Sequence, residues 1–159
     1  MNDAALKTYL NDHLAGATLG CDHASQLARM YSGTTSADDL ARVAADVRQD
    51  KATLLRLMDD VGARPSAVKR AGGWVTEKAS RLKFRGITSR RPELGRYLAL
   101  EAMSLGVEGK RSLWTALEQT ADSAPALRRV DLQELVARAE EQRATLERRR
   151  LEAAGSVFG

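Results

Sequence analysis

Apolar residues recur every three or four positions along almost the whole of this 159-residue chain, and proline stands at only Pro65, Pro92 and Pro125. That spacing gathers apolar side chains on one face at 3.6 residues per turn, whereas a strand would alternate them. Helices with a single apolar stripe must bury it against one another, so an all-α bundle is expected. The length suits one domain, residues 1–159, with a core of its own.

The expected helices cover about residues 3–32, 36–61, 66–85, 93–122 and 131–154. The first has Leu6, Leu10, His13, Ala17, Gly20, Ala24, Leu27 and Tyr31 along its seam and stops near Gly33. Ser36 is placed as N-cap of the second, with Asp38 and Asp39 in the first turn, where the helix dipole favours acids. Its seam runs Leu40, Val43, Val47, Asp50, Leu54, Leu57 and Val61, and Gly62 ends it. The segment 66–85 has the shape of a shorter crossover helix, weakened at Gly72 and Gly73. Pro92 suits the first turn of the next long helix, whose stripe is taken as Leu94, Leu98, Glu101, Leu105 and Glu108. The last helix places Leu132, Val136, Ala139, Arg143, Leu146 and Arg150 on one line, with the tail GSVFG expected to fray.

Cys21 is the single cysteine, so there is neither an intrachain disulfide nor a Cys-x-x-Cys metal motif, and a small core residue is the expected role. The opening segment MNDAALKTYLNDH has acids where a secretory signal would have a basic segment and an apolar run. No stretch reaches the roughly 20 apolar residues of a membrane span, so a soluble, cytoplasmic protein is expected. The 25 basic residues against 21 acids make a mixed surface, which permits nucleic-acid binding without implying it. No Walker loop, dinucleotide fingerprint or nucleophile elbow occurs in the sequence, which leaves common nucleotide and hydrolase chemistry without support.

The order of two long helices, a shorter connector and two more long helices is joined by local patterns: LMDDVG, VKRAGGWVTEK, LALEAMSLGVEGKRSLWTAL and EEQRATLERRRLEAA. Together they resemble the small bacterial stress-associated branch of the ferritin-like superfamily over roughly the whole chain. The resemblance implies an antiparallel four-helix bundle with a short crossover helix. It also implies a dinuclear iron site built from a glutamate on each of two helices and a Glu-x-x-His on each of the other two. Here the sequence departs from the pattern: its histidines are His13 and His23, both on the first helix, and no Glu-x-x-His is present. The nearest counterparts are Asp50, followed at the third place by Thr53, and Glu140 or Glu141, followed by Arg143 or Ala144. No metal or other cofactor is therefore expected.

What remains of such a site is expected as a buried polar cluster of His13, Asp50, Glu101, Glu108 and Arg143, with the Arg143 guanidinium neutralising an inward carboxylate in place of a metal. For His13 the plainer alternative is a hydrogen-bonded histidine, and for the acids a solvated helix face. Arg81, Lys83, Arg85, Arg90, Arg91 and Arg96 form a basic patch around the turn before the third long helix, and Arg148, Arg149 and Arg150 follow near the end. Such clusters can grip phosphates and are more commonly solvated surface. Trp74 and Trp114 fit packing anchors. The expected function is that of a non-enzymatic bundle acting as a homodimer or with another protein. The alternatives are a metal-dependent oxidase or iron-handling protein with an irregular carboxylate site, and a DNA-associated protein using the basic turn.

Overall fold

The computed structural model describes residues 2–65 and 90–159, and among these all regular structure is helical. Helix α1 spans Asp3–Met30, α2 Ala37–Asp60, α3 Pro92–Gln119 and α4 Leu132–Phe158. The expected helix over 66–85 lies outside the described residues.

Local chemistry sets the ends. The Asn2 side chain accepts from the Ala5 amide at 3.1 Å and Asp131 from the Glu134 amide at 2.9 Å, each satisfying one of the unpaired donors of a first turn. Gly33 and Gly62 follow α1 and α2 with φ of 77° and 65°, the left-handed conformation in which a helix is stopped. Ser36 stands at the expected N-cap position of α2, but its backbone is already helical and its side chain makes no capping bond. Thr34 folds in instead, its hydroxyl accepting from the Ser36 amide at 3.2 Å. Between α3 and α4 two single-turn 3₁₀ segments, Ala121–Ser123 and Leu127–Arg129, turn the chain and sink Leu127 into the core. The tail expected to fray is helical to Phe158, whose ring meets Tyr97 edge-on at 5.2 Å between centroids.

The pairing of residues fixes the directions. Cys21 reaches Val47 and Asn11 reaches Arg64, so α1 and α2 run oppositely. Glu101 meets Arg150, Glu108 meets Arg143 and Arg111 meets Glu140, so α3 and α4 do too. Asp39 pairs with Arg149 and Asp50 with Arg138, which opposes α2 to α4. At one end Leu6 and Leu10 pack with Leu57, Leu117 and Leu127, and at the other Leu27 packs with Leu40, Leu100 and Leu146. Helices α2 and α3 therefore run the same way, with the end of α2 and the start of α3 at opposite ends of the bundle.

Two seams differ in phase from expectation. In α3 the buried residues are Gly95, Ala99, Leu100, Met103, Val107, Leu113, Trp114 and Leu117, while Leu105 is 71% exposed. In α4 the buried line is Leu132, Leu135, Ala139, Gln142 and Leu146, which keeps the expected Leu132, Ala139 and Leu146 and puts Val136 and Arg143 one step around the helix from Leu135 and Gln142. One residue is a 100° turn, enough to carry a side chain from the core to its rim. Among the described residues no helix is long and apolar enough to cross a membrane.

Candidate functional site

Between the two apolar clusters lies a polar layer. Asp50 is 1% exposed, on the same α2 stripe as Val47 and Leu54, so the helical period that builds the core also carries a carboxylate into it. Burying a lone carboxylate would be costly, and two cations meet it. The Lys110 ammonium of α3 donates to Oδ2 at 2.5 Å, and the Arg138 guanidinium of α4 donates to Oδ1 at 3.0 Å. The Lys110 ammonium also donates to Oε1 of buried Gln142, whose amide nitrogen lies 3.5 Å from Asp50 Oδ2. Arg138 donates outward to Glu134 as well, tying the interior network to the surface. Burial pulls the Lys110 ammonium below the usual lysine range, against the opposing field and hydrogen bond of Asp50.

Of the five residues expected in a buried cluster, only Asp50 is fully interior. Glu108 lies at the surface, bound by Arg111 at 2.8 Å and by Arg143 at 2.9 Å, and both it and Arg143 are more than a third exposed. Glu101 is 46% exposed and reaches Arg150 at 3.8 Å. These three follow from the displaced seams of α3 and α4: they form a ladder along the outside of that helix pair. Arg143 does bind a carboxylate, but the interior role expected of it belongs to Lys110 and Arg138. His13 is half-buried, edge-on to Tyr9 at 4.5 Å, and burial lowers its pKa while Asp12 pulls the other way. His23 approaches the Ala99 carbonyl at 2.8 Å and so donates to it through Nε2.

Lys110, Arg138 and Gln142 were not singled out from the sequence. A signal was present: Lys110 continues the stripe Leu100, Met103, Val107 toward Trp114 and Leu117, and Gln142 continues Leu135 and Ala139 toward Leu146.

Beside the polar layer a cavity of about 330 Å³ opens among α1, α2 and α3. His13, Asp50 and Lys110 line it, together with Leu54, Met103, Leu113 and Trp114. Gly16 and Gly20 border it on α1, and Gly106 and Gly109 on α3. A Cβ added at any of the four would meet nothing within 4 Å, so these glycines leave space and do not mark close approach of backbones.

The residues present do not suit a dinuclear metal centre. Both Asp50 oxygens are bound by protein cations, and among the described residues no three His, Cys, Asp or Glu side chains gather as a metal-binding group. Two positive side chains against the Asp50 carboxylate would repel a dication.

Of the basic patch, Arg81, Lys83 and Arg85 lie outside the described residues. Arg90 and Arg91 are exposed, and exposed Arg96 stands over the Tyr31 ring at 5.7 Å. The C-terminal arginines are engaged: Arg148 and Arg149 with Asp39, and Arg150 with Glu147 and Tyr97. Cys21 is half-buried, its thiol donating toward the Val47 carbonyl at 3.6 Å, and burial raises its pKa, which suits a packing role better than a reactive one.

Comparison of the chain with family models, with curated proteins and with solved structures found no match.

Proposed function

We propose that this chain is a non-enzymatic bundle of the ferritin-like kind, acting by association with itself or with a protein partner, in which an ion-pair network stands where metal-bearing relatives hold iron. The observation that carries this is the neutralisation of Asp50 by Lys110 and Arg138 at mid-bundle. A carboxylate at this level is where a metal centre would need a ligand, and here each of its two oxygens already accepts a hydrogen bond from a protein cation. The helix directions support the fold assignment, since parallel α2 and α3 within such a bundle call for one long crossover connection, as in ferritin-like folds. For association, Leu105, Leu151 and Phe158 provide large apolar side chains on the outside of α3 and α4. The engagement of Arg149 and Arg150 by neighbouring acids weighs against a phosphate-gripping role for the C-terminal arginines.

Native mass measurement combined with elemental analysis tests this reading, on protein purified from cells supplied with iron, manganese and zinc. A dimer or larger assembly without stoichiometric metal is expected. A monomer at high micromolar concentration with no bound protein, or one metal ion per chain, would overturn it.

A further inference from the structure

The cavity beside the polar layer has features that the packing of four helices does not require. At about 330 Å³ it falls within the range of small-molecule sites. Its lining is chiefly apolar, from Leu54, Met103, Val107, Leu113 and Trp114, and the four glycines on α1 and α3 keep its sides free of side chains. Its charges balance: Asp12 and Asp50 stand against Lys51 and Lys110. An anion would meet the Asp50 carboxylate, and a cation the Lys110 ammonium, so neither sign finds a lining of opposite charge to offset the loss of water.

Two donors at this level have capacity to spare. The Lys110 ammonium has three N–H groups and directs two of them to Asp50 and Gln142. The Trp114 indole N–H is buried without an acceptor, although its residue lines the cavity. A buried donor with no partner is an uncommon and costly feature of a folded protein.

We propose that this cavity is a binding site for a small, uncharged, mainly apolar molecule with one acceptor oxygen, such as a compact aromatic ketone. The apolar body packs among Leu54, Met103, Leu113 and the Trp114 ring, and the oxygen accepts the remaining Lys110 N–H. The site stands independently of the chain's assembly state and of its likeness to ferritin-like bundles.

The experiment is an NMR titration of the full chain with acetophenone, following the Trp114 indole N–H signal, assigned by comparison with Trp114→Phe. Ethylbenzene, which keeps the shape without the oxygen, and benzoate, which adds a charge, are the comparisons. Acetophenone is expected to give a saturable shift at millimolar concentration, with ethylbenzene and benzoate each weaker by about tenfold, the scale of one hydrogen bond. Gly106→Leu and Gly16→Leu put side chains into the cavity at helical positions with open space around them, and each is expected to weaken binding by at least about tenfold while the circular dichroism spectrum stays helical. Absence of a saturable shift overturns the proposal, as does unchanged acetophenone affinity in whichever of the two leucine variants folds. Ethylbenzene binding as tightly as acetophenone would remove the acceptor oxygen from it, and tighter binding of benzoate would overturn the uncharged class.

Discussion

Arg138 of α4 and Asp50 of α2 meet at 3.0 Å across the bundle, 88 residues apart in sequence, and they do so beside a lysine from a third helix. The carboxylate is thus held by two cations, and its loss would leave both of them partly desolvated and facing each other. Asp50→Ala is expected to destabilise the fold by about 3–5 kcal/mol, the usual cost of removing one partner of a buried pair. Urea denaturation checks this. Arg143→Ala, at the exposed Glu108 pair, should leave the midpoint close to that of the unaltered protein, because Arg111 still holds Glu108.

The half-buried His13 gives the stability a pH dependence of known sign. Its pKa is lowered in the fold from an ordinary value of 6.5, so the unfolded chain binds the proton more readily. Stability from this group is complete above 6.5 and is lost as the pH falls through the lower, folded value. His13→Phe keeps a ring against Tyr9 and cannot titrate. The stability difference between the two proteins should therefore move in favour of the phenylalanine variant on acidification from neutral to about pH 5. A difference that stays constant over that range would contradict the argument.

Asp39 joins the first turn of α2 to the last turns of α4. The hydrogen bond from Arg149, at 2.6 Å, is the main reason its carboxyl lies below the ordinary aspartate range, with Arg148 adding to it. Asp39→Asn should cost about 1 kcal/mol at neutral pH, the upper end for an ion pair at the rim of the bundle reinforced by a helix N-terminus. Because the folded value is the lower one, the contribution is present above the ordinary value near 3.8 and fades as the pH drops below it. Thermal melts at neutral pH in low and high salt should show the difference shrinking as salt is added.

Glycines divide into two groups with opposite expected responses. Gly106→Ala, in mid-helix with nothing within 4 Å of the new Cβ, should stabilise by about 1 kcal/mol through helix propensity. Gly62→Ala, at a φ of 65°, should destabilise by about 1 kcal/mol because the left-handed conformation is strained for alanine. Paired denaturation curves distinguish the two cases.

The helical class, the four long elements and the seams of α1 and α2 were legible in the sequence because Leu6, Leu10, Leu27, Leu40, Val43 and Leu54 repeat with little ambiguity. Asp50 was legible for the same reason, as the one acid on an otherwise apolar line. Its partners were not. In α3 apolar residues occur on several sides, Leu98 and Leu105 among them, so two stripes compete and the one holding Lys110 contains a charge that argues against burial. In α4 the alternating Glu and Arg residues leave few apolar markers, and Gln142 gives no hint of an inward face until Asp50 and Lys110 are placed opposite it. Cavities are a further step removed, since a helical glycine in sequence does not say whether a neighbouring helix closes over it.

The polar layer also fixes how far each helix can slide along its neighbours. Moving α4 by one turn, about 5.4 Å, would bring Glu134 and Arg138, or Gln142 and Leu146, to the level now held by Arg138 and Gln142. The first shift sets a second acid against Asp50, and the second removes the guanidinium and aims an aliphatic chain at a carboxylate. Apolar side chains alone would tolerate either slip, because one leucine substitutes for another in a seam of this kind. A single carboxylate with matched partners on two other helices thus makes the vertical alignment of α2, α3 and α4 unique, and a chain mispaired by a turn during folding would carry an unmatched charge until it corrected itself.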